Sequence, residues 1–109
     1  MNDLIQRIVN AIFRQESMPA TYPNPGNLRA APWRVNPVVQ GGFWRPASRA
    51  EGVAGAAHEV ALRIAEGQSL AQLINAWAPA SENPTSVYLA NVKAWAAVPD
   101  ENVPLWEFL

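Results

Sequence analysis

Apolar residues recur near the start of the chain at Leu4, Ile5, Ile8, Val9, Ile12 and Phe13, the spacing of a helix with one buried stripe. With Asn2 or Asp3 as cap, the pattern predicts a helix from about Asp3 to Ser17, and Pro19 forbids its continuation past about Met18. A second helix opens at the capping box Ser48-Arg49-Ala50-Glu51, runs to about Glu66 and closes at Gly67. Its stripe is Val53, Ala56, Ala57, Val60, Ala61 and Ile64, and its alanines together with Gly55 suit close approach by another helix. Another box, Ser69-Leu70-Ala71-Gln72, starts a short helix carrying Leu70, Leu73, Ile74 and Trp77 up to Pro79. Asn83 before Pro84 has the order of N-cap then N1, so the last helix is expected from Pro84 to about Ala97, with Val87, Tyr88, Val92 and Trp95 inward.

Between the first two helices the pattern breaks. Pro32, Pro37, Gly41, Gly42 and Pro46 interrupt residues 30–47, which predicts a short irregular hairpin or an extended loop. In the hairpin version Trp33-Arg34-Val35 pairs with Phe43-Trp44-Arg45 across Gly41-Gly42. The tail Pro104-Leu105-Trp106-Glu107-Phe108-Leu109 is apolar enough to pack back onto the body, with partner binding as the alternative. The expected fold class is therefore mainly α, a single small helical domain over residues 1–109 with one short hairpin or extended loop.

Composition narrows the function. Only 16% of residues are charged and the net charge is -1, so no phosphate-binding surface and no nucleic-acid partner is expected. Charges at Asp3 and Arg7 interrupt the first apolar stretch, so neither a signal peptide nor membrane insertion is expected. With no cysteine and His58 as the sole histidine, neither a metal site nor a cofactor is expected. Five tryptophans and ten prolines predict aromatic walls and rigid loops; tryptophan serves as core or as a platform for sugar rings.

The candidate chemistry sits at the end of the first helix. The position after Phe13 on its apolar stripe is Glu16, in the last turn, where burial and the helix dipole both favour the protonated carboxyl. A carboxylic acid held protonated near neutral pH suits a general acid. A small rotation of the helix instead leaves Glu16 solvated, the reading that periodicity alone favours; the turn that follows is what points to the acid. In Asn24-Pro25-Gly26-Asn27, Pro25 and Gly26 have the order of a type II turn, with Gly26 at positive φ. Asn24 and Asn27 are placed either to orient Glu16 and grip a polar substrate or to cap their own backbone.

Asn24-Pro25-Gly26-Asn27-Leu28-Arg29, Gly42-Phe43 with Glu51-Gly52, Ile74-Asn75-Ala76-Trp77-Ala78-Pro79-Ala80-Ser81-Glu82-Asn83 and Tyr88 together resemble a family of lysozyme-like proteins. These occur in phages and prophages and are similar in fold to lytic transglycosylases and goose-type lysozymes. The resemblance spans nearly the whole chain and implies a small lysozyme-like domain that cleaves the β-1,4 bond between N-acetylmuramic acid and N-acetylglucosamine. It implies Glu16 as catalytic acid and peptidoglycan glycan strands as the partner. Tyr22, Asn24, Gly26, Asn27, Phe43, Trp77, Glu82 and Tyr88 are the expected groove residues. It further implies a phage virion, or the bacterial cytoplasm before release to the wall, with a phage particle or other proteins reached through the tail. Tyr22-Pro23 departs from the polar residues usual there in the family.

Glycosidases usually carry two carboxylates. The expected candidates for the second are Glu51, already assigned to a cap, and Glu82, in a loop. A route without a protein nucleophile uses the substrate's own 2-acetamido group or 6-hydroxyl. The rival function is a non-catalytic carbohydrate-binding or virion structural module.

Overall fold

The computed structural model describes residues 3–29, 33, 39–81 and 83–109. Its elements in order are α1 (Asp3–Glu16), β1 (Val39–Gln40), β2 (Phe43–Trp44), α2 (Arg49–Ala65), α3 (Leu70–Trp77), α4 (Thr85–Ala96) and a 3-10 helix over Leu105–Phe108. The protein is a small, mainly α domain with a radius of gyration of 13.2 Å, near the ~13 Å typical of a folded chain of this length. None of its described helices is long and apolar enough to cross a membrane.

The apolar stripe of α1 is buried as its periodicity requires: Leu4, Ile8, Val9 and Ile12 are enclosed, with Ile5 and Phe13 packed at the margin. α1 packs chiefly on α4 and secondarily on α2, and α3 packs on α4. Polar links join α1 to α4 as well. Arg7 Nε donates to the carbonyl of Ala96 at 2.9 Å, placing a cation on the negative end of α4, and Asn91 Nδ2 donates to Gln15 Oε1 at 2.8 Å. Leu70, Leu73 and Ile74 of α3, Val60 and Ile64 of α2 and Leu105 complete the core.

Helix ends agree with the sequence where their signal is a side-chain cap. Ser69 and Gln72 form the full reciprocal box of α3. Ser48 Oγ accepts from the N–H of Glu51 at 3.1 Å, while Glu51 Oε2 accepts from the N–H of Ala47 at 3.2 Å, one residue earlier than a reciprocal box. Gly67, at φ 81°, closes α2 through its N–H to Ile64 O. α4 begins one residue later than expected: Pro84, not Asn83, is its N-cap, and the nearby Thr85 hydroxyl donates to the carbonyl of Ala78 at 2.7 Å.

Other expectations are corrected. On α4 the inward set is Tyr88, Val92 and Ala96; Val87 is 53% exposed, and Trp95 lies outside with the Arg14 guanidinium over its ring at 4.1 Å. The two-residue Gly41-Gly42 turn, with both φ positive, is the mirror-image type whose twist suits a hairpin, and it pairs Val39–Gln40 with Phe43–Trp44. Val39–Gln40 therefore takes the place expected for Trp33-Arg34-Val35, of which Arg34 and Val35 lie outside the described residues. Gly55 admits the Trp44 ring and not a helix: a Cβ there would lie 2.4 Å from the indole. The buried face of α2 also includes a charge, Glu59, between Ala56 and Val60. The tail packs back as expected, since Leu105 is fully buried and its N–H donates to Gln68 O at 2.9 Å. Trp106 and Leu109 face outward.

Candidate active site

Glu16 is the last residue of α1, and the chain leaves the helix through Ser17 in the left-handed conformation, φ 53°, with its N–H donating to Phe13 O. Ending the helix there keeps the Glu16 carboxyl on the buried stripe but at its rim, half-buried. The Tyr88 hydroxyl, from the inward face of α4, donates to Glu16 Oε2 at 2.7 Å. Burial raises the Glu16 carboxyl above its ordinary value, and the Tyr88 hydrogen bond opposes part of that rise by favouring the ionised form. Burial and the neighbouring carboxylate push the Tyr88 hydroxyl far up, so it remains a donor. Tyr88 is 3% exposed and acts on Glu16; its expected place as a substrate contact is corrected to that of a positioning residue.

The Asn24–Asn27 turn faces this pair across a cavity. It closes by the Asn27 N–H donating to Asn24 O at 2.9 Å, but Gly26 is not at positive φ, so the type II expectation is wrong. The left-handed residue is Asn27, at φ 50°, a conformation asparagine tolerates better than most. Glycine at position 26 gives room: a Cβ there would lie 3.0 Å from Trp77 Cζ2, a tight contact to which the indole would have to yield, and the Trp77 indole N–H donates to Gly26 O at 2.8 Å. At position 52 glycine is required, because a Cβ there would lie 1.8 Å from the carbonyl oxygen of Pro23. The loop therefore rests directly on the backbone of α2.

Asn24 is fully buried, and its amide is used inside the protein. Nδ2 donates to Leu28 O at 2.8 Å and to Trp44 O at 2.9 Å, while Oδ1 accepts from the Leu28 N–H at 3.0 Å. It does not touch Glu16 or line the cavity, so the expected role of orienting Glu16 or gripping a substrate is corrected and the alternative, capping its own loop's backbone, is the one seen; it also laces the loop to β2. Buried Gly26 likewise builds the wall from behind.

The cavity itself, about 290 Å³, is lined by Glu16, Asn27, Arg29, Phe43, Trp77 and Asn83. The Arg29 guanidinium lies over the Phe43 ring at 4.6 Å. Two further cavities share lining residues with it. One, about 260 Å³, shares Phe43 and adds Tyr22, whose hydroxyl donates to Asn27 Oδ1 at 3.2 Å. The other, about 210 Å³, shares Arg29 and Trp77 and adds Glu59 and Arg63.

Of the expected site residues, the structure thus brings Glu16, Asn27, Phe43 and Trp77 around one cavity, with Tyr22 in the next and Tyr88 behind Glu16. Glu82 lies outside the described residues. Glu51 faces a different cavity, beside Trp33, Trp44 and His58. Arg29 and Asn83 line the cavity as well; no periodicity or turn signal selects them, and both lie inside the motifs that carry the resemblance. Among the described residues Glu16 is the only carboxylate lining this cavity. No protein-family model, curated protein sequence or solved structure matches this chain, so the site is read from its own geometry.

Proposed function

We propose that the protein is a peptidoglycan-cleaving glycosidase acting on the β-1,4 bond between N-acetylmuramic acid and N-acetylglucosamine, with Glu16 as general acid. The observation that carries this is the Glu16–Tyr88 pair: a half-buried carboxyl whose proton affinity is raised, held at 2.7 Å by a neutral donor, on the wall of a cavity with aromatic faces. Adjoining cavities that share lining residues suit a polymer, with Phe43 and Trp77 offering apolar faces to sugar rings and Asn27, Arg29 and Asn83 offering polar groups to their edges. The substrate class comes from the motif resemblance.

Glu16 as the only lining carboxylate among the described residues favours the lytic transglycosylase form of the reaction. Glu16 donates its proton to the glycosidic oxygen as the bond from the anomeric carbon breaks. The muramic 6-hydroxyl then bonds to that carbon and returns its proton to the Glu16 carboxylate, leaving a 1,6-anhydromuramic end. The same feature favours the second reading, a wall-binding module without turnover, in cell-wall recognition or a virion.

Incubation with purified cell walls separates the two. Clearing with predominantly anhydro ends, and loss of at least about a hundredfold in rate for a folded Glu16→Gln variant, is the expected result. Co-sedimentation without clearing selects the binding module. Near wild-type clearing by Glu16→Gln overturns the assignment of the acid, and a predominance of reducing ends overturns the lone-acid route.

A further inference from the structure

The polar groups of the Glu16 cavity differ in how far the protein itself uses them. The Trp77 indole N–H is given to Gly26 O, Glu16 Oε2 accepts from the Tyr88 hydroxyl, and the Arg29 guanidinium lies over Phe43. The Asn83 carboxamide makes no hydrogen bond among the described residues, so it can turn either end to a ligand. Asn27 is engaged at one end only. Its main-chain N–H donates to Asn24 O at 2.9 Å, and its side-chain Oδ1 accepts from the Tyr22 hydroxyl at 3.2 Å. Its Nδ2 makes no hydrogen bond among the described residues and is not a buried atom, so its N–H donors remain for a ligand. Tyr22 is itself held in place. Its N–H donates to Pro19 O at 2.9 Å, its carbonyl accepts from Arg49 Nη1 at 3.1 Å, and the next carbonyl, that of Pro23, rests on Gly52 of α2.

The Tyr22–Asn27 hydrogen bond joins two cavities, since Asn27 lines the one with Glu16 and Tyr22 the one that shares Phe43 with it. The oxygen and nitrogen of a carboxamide lie on opposite sides of its carbon, so tying Oδ1 to Tyr22 turns the N–H donors away from Tyr22 and to the Glu16 side. We propose that Tyr22 is a positioning residue that fixes this orientation, and that the Glu16 cavity thereby selects sugars carrying an acyl oxygen, the carbonyl of an N-acetyl group, over sugars carrying a free amine. The carbonyl accepts from Asn27 Nδ2, and the acetyl methyl rests on the aromatic wall of Phe43 and Trp77. An amine in its ammonium form has donors alone, and here it meets a donor. The proposal rests on the glycosidase reading for the saccharide class of the ligand and for nothing else.

The test is binding of the β-1,4 trimers of N-acetylglucosamine and of glucosamine to the whole chain carrying Glu16→Gln, which lacks the carboxylate that would itself draw an ammonium. Nitrogen-15 NMR should show saturable shifts of the Asn27 side-chain amide with the acetylated trimer, which should bind at least about tenfold more tightly than the glucosamine trimer. With Tyr22→Phe added, the Asn27 amide is free to turn over, and the preference should fall to about threefold or less while the acetylated trimer still binds. With Asn27→Asp added, an acceptor stands where the donors stood and the preference should invert. Equal binding of the two trimers, tighter binding of the glucosamine trimer, or an Asn27 amide that does not move overturns the selection. An undiminished preference in folded Tyr22→Phe overturns the role of Tyr22. Asn27→Asp leaves Tyr22 in place and keeps the test decisive should Tyr22→Phe fail to fold: retention of the original preference there overturns the proposal. Wall clearing is measured separately on the wild type. The expected preference in a protein that does not clear walls leaves the selection standing and refutes the glycosidase reading, and clearing without the preference refutes the selection alone.

Discussion

The two walls of the Glu16 cavity are made by different physics. One wall, Glu16 with Tyr88 behind it, hangs on α1 and α4, whose positions follow from a stripe of buried apolar residues on each helix. The burial of Leu4, Ile8, Val9 and Ile12 is worth roughly 1.5–3 kcal/mol apiece, so no single one of them decides where Glu16 stands. The opposite wall, Asn27, Arg29 and Phe43, hangs on a loop and the short hairpin of β1 and β2. That wall is placed by one buried amide, two glycines and one indole N–H. The helical wall distributes its stability, and the loop wall concentrates it. Single changes in the loop wall should therefore be the more damaging.

The largest effect is expected from Gly52→Ala. A methyl group 1.8 Å from Pro23 O has no room, and because both partners are backbone the loop or α2 must move. A loss of stability on the order of 3 kcal/mol or more in urea denaturation is expected, together with loss of any wall-clearing activity. Asn24→Ala comes next. It leaves the buried Leu28 N–H without its side-chain acceptor and removes a donor from two carbonyls, a cost of roughly 2–3 kcal/mol. The contrasting change on the helical wall is Ile12→Val, which deletes one methylene from a fully buried side chain and should cost only about 1 kcal/mol with activity kept. If Ile12→Val proved as damaging as Asn24→Ala, the contrast between the walls would collapse.

The same contrast explains what was legible in the sequence. A helix announces itself through periodicity and caps, and α1, α2 and α3 lie within a residue or two of where Leu4 to Phe13, Ser48 and Ser69 place them. Periodicity also carried Glu16 to the rim of the core. The loop wall announces only its residue types. Pro25-Gly26 looks the same whether glycine is needed for a positive φ or for room beside Trp77, and only the second is true here. Asn24 looks the same pointing into a groove or into the protein. That choice is made by Leu28 and Trp44, the latter twenty residues away in the sequence. On α2 the i,i+4 order of Glu59 and Arg63 was visible, but a solvated pair and a buried one share that spacing.

The smallest effect is the one whose sign is most constrained. Tyr88→Phe removes the one hydrogen bond that favours the ionised form of Glu16 and leaves burial, which disfavours it, unopposed. The Glu16 carboxyl should then titrate higher than in the wild type, seen directly by carbon-detected NMR. Because its folded value is already raised, Glu16 contributes stability that is fully present below its ordinary unfolded value. That stability is lost as pH climbs through the folded value. Tyr88→Phe raises the folded value further, so more is lost on the way up. The variant should be less stable than the wild type by only about 0.5 kcal/mol near pH 4, where the carboxyl is protonated in both, and by a larger margin near pH 8. The alkaline limb of any wall-clearing activity should move upward with it, since the acid stays protonated to higher pH. A stability difference that is flat with pH would mean that Tyr88 only fills space beside Glu16, and the helical wall would then hold its carboxyl by packing alone.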